Sequence, residues 1–85
     1  MREVTEIDWV TRRATLEFYI SSFDTDHEHV ITKVMSSCDE AFQKMGRPQD
    51  VDIFLLNTGE GSRTLVTMIM EKGKDKGYNI NAIGF

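Results

Sequence analysis

Asp24-Thr25-Asp26-His27-Glu28-His29 is the densest run of groups able to bind a metal ion or exchange a proton. Carboxylates and imidazoles at this density are the usual ingredients of a metal site. The spacing argues against one. Helical positions two apart diverge by about 200°, so His27 and His29 cannot share an ion as an i, i+4 pair does. The same run suits the start of a helix: Thr25 caps, Glu28 reaches back, and Asp24, Asp26 and Glu28 meet the positive end of the helix dipole. It reads as a capped helix start with solvated histidines, and no metal or cofactor is implied.

Gly59-Glu60-Gly61-Ser62-Arg63 has some features of a phosphate-cradling loop. It lacks the Lys-Ser/Thr that completes a P-loop and the third glycine of a dinucleotide fingerprint, and Glu60 would repel phosphate. A tight turn is the simpler reading. A small anion held by backbone N–H groups and Arg63 fits only if a helix begins at Ser62. Cys38 is the sole cysteine, so it forms no internal disulfide, which suits a reducing, cytoplasmic setting. Its helix-face neighbours are aliphatic, making it a core residue rather than a nucleophile. No Ser/His/Asp, Cys/His or paired-carboxylate set takes a catalytic pattern, and the expectation is a protein that is not an enzyme.

The element that carries the first cluster is the clearest in the chain. From Asp24 to Met45, apolar residues at Val30, Ile31, Val34, Met35, Cys38, Ala41, Phe42 and Met45 form a stripe at helical spacing. Gly46 can end the helix in the left-handed conformation, and Pro48 blocks its continuation. Upstream, Ala14, Leu16, Phe18 and Ile20 alternate with Thr15, Glu17, Tyr19 and Ser21, a strand with one buried side. Glu3–Val10 reads as its hairpin partner, although Thr11-Arg12-Arg13 offers poor turn chemistry. A helix starting near Thr5, capped by Asp8, is the competing reading.

Val51–Asn57 is a short apolar run bounded by turn residues, which predicts a central strand covered on both faces. Arg63–Lys72 is ambiguous. Thr64, Val66, Thr67 and Ile69 are β-branched and favour a strand, with Gly73–Gly77 as a hairpin loop and 77–85 as the last strand. The preferred architecture is therefore α+β in the order β-β-α-β-β-β, one long helix packed on an antiparallel sheet. In the alternative, β-β-α-β-α-β, Ser62 caps a second helix over 63–76.

The chain of 85 residues fits a single small domain, 1–85, with no apolar run long enough for a bilayer and no apolar core of a secretory signal at its start. Ten Lys/Arg against fourteen Asp/Glu leave a net charge of −4. Glu17–Glu60 holds most of the acid, and 61–85 is mildly basic. Acidic proteins repel nucleic acid and speed encounters with basic partners.

A lone helix on a sheet leaves one sheet face bare, and bare apolar faces are usually interfaces. The expected contact surface joins Phe54, Leu56, Met68 and Met70 on that face with the acidic helix start, Asp24, Asp26 and Glu28. A helical 63–76 is expected to cover that face and weaken the argument. The function that follows is a small binding protein, a stoichiometric inhibitor or regulator of a protein partner, expected to be a homodimer and to stay off membranes. Compact acidic modules of this size suit inhibitors and adaptors, including those carried by phages and mobile elements. The alternative is a small RNA-binding regulator using a basic sheet edge formed by Arg12, Arg13, Arg63, Lys72, Lys74 and Lys76, with Trp9, Tyr19 or Tyr78 as stacking platforms.

Overall fold

The alternation of Ala14-Thr15-Leu16-Glu17-Phe18-Tyr19-Ile20 forms a strand, and its apolar half anchors the core. A computed structural model describing residues 1–85 shows Ala14, Leu16, Phe18 and Ile20 fully buried, while Thr15, Glu17 and Tyr19 on the other side are half-buried. The elements are β1 (Arg2–Asp8), β2 (Arg13–Ser21), α1 (His27–Met45), a single 3-10 turn (Pro48–Asp50), β3 (Val51–Gly59), α2 (Arg63–Asp75) and β4 (Ile80–Ile83). The molecule is α+β, with two helices and a four-stranded mixed sheet in the order β1-β2-β3-β4.

β1 and β2 form an antiparallel hairpin, with Arg2 beside Tyr19 and Asp8 beside Arg13. Its turn chemistry comes from Asp8, whose carboxylate accepts from the Val10 and Thr11 N–H groups at 2.9 and 3.3 Å. Those donors hold the Asp8 pKa below the ordinary carboxylate value. Arg12 takes φ +57° to close the turn. The tip presents Trp9, 61% exposed, and Val10, 94% exposed.

α1 begins one residue later than the Thr25 capping box implies. Asp26 is the cap, accepting from His29 N–H at 3.1 Å. Gly46 ends the helix at φ +86° and donates to the Phe42 carbonyl, the left-handed close its sequence predicts.

The antiparallel order β-β-α-β-β-β is overturned: residues 63–75 are helical and the order is β-β-α-β-α-β. Ser62 Oγ accepts from Leu65 N–H at 3.1 Å, and Leu65, Val66 and Ile69 form one buried stripe with Gly73. Burial of that stripe outweighs the β-branched preference of Thr64, Val66, Thr67 and Ile69. The expected hairpin glycines are helix-closing ones. Gly77 at φ +85° donates to the Lys74 carbonyl and Tyr78 N–H to the Gly73 carbonyl at 2.8 Å, a Schellman motif. Gly73 also gives β4 room: a Cβ there would lie 2.2 Å from Ile80 Cδ1.

β3 pairs parallel with both β2 and β4, each reached through a helix. Two successive crossovers of one hand, stepping the same way across the sheet, put their helices on the same side. One core results, in which Val34, Met35 and Cys38 of α1 and Leu65 and Ile69 of α2 pack on Leu16, Phe18, Ile53, Leu55 and Ile80. β3 is central, as its apolar run predicts, but only one of its faces is covered. The second helix does not cover the bare face. At the α1–α2 junction the Tyr78 hydroxyl and Lys76 Nζ both donate to Asp39, at 2.6 and 2.7 Å, and Phe42 meets the Tyr78 ring edge-on at 6.2 Å. No helix is long and apolar enough to cross a membrane.

Candidate functional site

The registers order the uncovered face into rows running across the strands. One row is Arg2, Tyr19, Leu56 and Ile83; the next is Val4, Glu17, Phe54 and Asn81. Tyr19, Phe54 and Leu56 are half-buried, and Ile83 is 51% exposed. Together they make an apolar corner over β2, β3 and β4 that no element of the chain covers. The Arg2 guanidinium lies 4.4 Å from the Tyr19 ring centroid, and the Tyr19 hydroxyl donates to Glu17 at 3.3 Å.

Toward the hairpin the same face turns polar. There Glu6, Asp8, Glu17 and Asp52 supply four carboxylates against the Arg13 guanidinium, while Arg2 lies at the other end of β1, in the apolar row. Arg13 is committed to Asp52, with contacts of 2.8–3.1 Å, and its pKa is raised by that hydrogen bond and charge. The face is thus an apolar corner with a net acidic border.

The structure places the expected contact residues in three regions. Phe54 and Leu56 lie together on the open face. Met68 and Met70 sit on α2, across the sheet from it, and their positions two apart put them on opposite flanks of that helix. Asp24, Asp26 and Glu28 cluster at the start of α1. There Asp24 is occupied, accepting from Ser21 N–H at 2.9 Å and from the Met1 amino group at 2.7 Å. Glu28 and Met68 both line a groove of about 510 Å³ between the helices, with Ile31, Met35, Asp39, Lys72 and Lys76.

The six basic residues do not form one edge. Arg12 is on the hairpin tip, Arg63 opens α2 at the far end of the sheet, and Lys72, Lys74 and Lys76 follow the last turns of α2 and its cap. Arg13 and Lys76 are held by Asp52 and Asp39. This distribution follows from the parallel crossovers. Both helices point the same way, so their basic last turns, with Lys44 in α1 and Lys72 and Lys74 in α2, lie toward one end where the dipole favours them, whereas only α1 has an acidic start and α2 opens with Arg63.

The glycine loop is closed by its own chain. Gly59 and Gly61 N–H groups donate to Asn57 Oδ1 at 3.1 and 2.9 Å, Asn57 Nδ2 donates to the Gly84 carbonyl at 2.9 Å, and a Cβ on Gly61 would reach within 2.9 Å of the Phe85 ring. Asn57 thus occupies donors that an anion would need. Cys38 is fully buried, and burial, with Asp39 and Glu3 nearby, pushes its thiol up to about 12, so it is protonated at neutral pH. No three His, Cys, Asp or Glu side chains converge on a common point.

Tyr19, Ile83 and Val4 belong to the open face but escape a reading of single segments. The signal that finds them is register: Tyr19 gains an apolar setting only once it is known to sit beside Leu56. Compared with family models, with curated proteins and with solved structures, the chain matches none.

Proposed function

We propose that this is a small intracellular binding protein without catalytic activity, an inhibitor or regulator that docks a protein partner on its open sheet face. The observation that carries the reading is the row Tyr19–Leu56–Ile83 with Phe54 beside it, apolar and uncovered although the chain has two helices to spend. Aromatic and aliphatic side chains on a rigid sheet are effective anchors, and a surrounding polar border suits an interface rim. The carboxylates of Glu6 and Glu17 favour a partner whose apolar contacts are bordered by Lys or Arg. The same carboxylates oppose a nucleic-acid backbone, although sheet aromatics such as Tyr19 and Phe54 are what an RNA-binding sheet would use to stack bases.

The test compares tagged wild type with Leu56→Glu, which puts a charge in the middle of the apolar corner, and with Lys72→Glu/Lys74→Glu on α2. Circular dichroism first establishes that each variant is folded. A protein retained from source lysate by wild type and the α2 variant, lost by Leu56→Glu and indifferent to nuclease, supports the reading. Retention that is unchanged in Leu56→Glu, or that nuclease or the α2 charge reversal abolishes, overturns it.

A further inference from the structure

The sheet has two edges, and they differ. β4 pairs through four residues, whereas β1 is a seven-residue strand with no proline, glycine or bulge. Its outer backbone N–H and C=O groups meet no strand, which is the template for adding one. We infer that a second copy of this chain pairs along β1, antiparallel about a two-fold axis at Val4, joining the two sheets into one of eight strands.

Register selects the axis. A two-fold axis pairs residues whose numbers sum to a constant, and only even sums keep open face beside open face and outward backbone groups opposite each other. With the axis at Val4, Arg2 faces the partner's Glu6 twice, Glu3 faces the partner's Thr5 twice, and Val4 meets its own copy. An axis at Glu3 or Glu6 sets that carboxylate against itself. An axis at Thr5 pairs Arg2 with Asp8 but sets Glu3 against Ile7 and Glu6 against Val4. Only the Val4 register gives both Glu3 and Glu6 a cationic or hydroxyl partner and the valine an apolar one, the cross-strand pairs that stabilise antiparallel sheets.

The side chains are already disposed for it. Arg2 is held on the open face by the Tyr19 ring, and on the helix side Glu3 is fixed beside the edge by the Thr5 and Ser37 hydroxyls of its own chain, which donate to it at 2.8 and 2.6 Å, so the charge pair Arg2–Glu6 is the contact that pairing adds. A notch of about 200 Å³ between β1 and α1, bordered by Glu3, Thr5, Ser37 and Lys44, leaves space for the partner's side chains beside the strand. The pairing leaves the apolar corner free and aligns two copies of it on one surface. It extends the docking proposal without depending on it.

Charge exchange tests the register. Within one chain Arg2 and Glu6 are about 13 Å apart along the strand, too far to pair, so any rescue between them is intermolecular. Sedimentation of wild type over a dilution series is expected to give two chains per particle. Arg2→Glu and Glu6→Arg, each placing like charges opposite, should weaken the dimer about tenfold or more, and the double variant should restore it. A single-chain mass at every concentration, single variants that dimerise like wild type, or a double variant no better than either single overturns the proposal. So does a dimer that Leu56→Glu abolishes while Arg2→Glu leaves it intact, since that dimer would be face to face. Partner capture is read separately, so failure here leaves the docking test unaffected.

Discussion

Along β2 the two sides of one strand meet opposite surroundings. Leu16 and Phe18 are fully buried under α1 and α2, while Glu17 and Tyr19, their immediate neighbours in sequence, lie half-exposed on a face with no cover. The difference does not come from a shortage of helix. It comes from the direction of travel: β2, β3 and β4 are laid side by side in chain order, so both crossovers carry their helices to the same side. Two helices on a sheet cover both faces only if the strand order turns back on itself. Here it does not, and the chain thickens one layer while leaving the other bare.

The largest expected effect tests whether the two sides really differ in energy. Phe18→Ala empties a fully buried site and should cost about 3–5 kcal/mol in urea unfolding, whereas Phe54→Ala, half-exposed on the open face, should cost much less. Equal losses would mean the open face is covered in solution by something that survives purification, and the comparison would break.

A second measurement sharpens how the covered side is built. Gly73→Ala gains about 1 kcal/mol of helix propensity but drives a methyl into Ile80, an overpacking cost of about 1–3 kcal/mol. Net destabilisation is expected, and Ile80→Val, which removes Cδ1, should recover part of it in the double variant. Additive losses would show that α2 shifts to make room.

The smallest effect is electrostatic and belongs to the junction of the two helices. The Lys76 and Tyr78 hydrogen bonds hold Asp39 below the ordinary carboxylate value. Its contribution is therefore fully present above the unfolded carboxylate pKa and is lost as pH falls through the lower folded one. Tyr78 is raised by burial and by the same carboxylate, so its contribution holds below the unfolded phenol value and fades as pH rises through the folded one. Asp39→Asn should flatten the acid limb of melting temperature against pH by a small amount; an unchanged limb would assign acid sensitivity elsewhere.

What could be read from residues alone divides along the same line. α1 was legible because stripe, cap and closing glycine agree within one segment, and the strand over 14–21 because its alternation is clean. α2 was not, because its local signals conflict: four β-branched residues favour strand, while Ser62 and Gly77 mark a helix, and packing on a core assembled from distant segments decides. Phe54 and Leu56 emerged from the run around them. Met68 and Met70 left the open face when their segment became helical. Asn57 closing the glycine loop, and Tyr19 joining the apolar corner, depend on which strands are neighbours, which no single segment encodes.

The over-the-top connections also govern how this molecule can assemble in time. Ala14 comes to rest beside Val51, and Ile53 beside Ile80, so neither parallel contact can grow outward from a turn. Only the first hairpin closes locally. The rest must wait for distant segments to find one another, at an entropic cost that slows such chains relative to helical bundles of equal length. Until α1 and α2 pack on them, Leu16, Phe18 and Ile20 have no cover, because the short hairpin supplies none of its own.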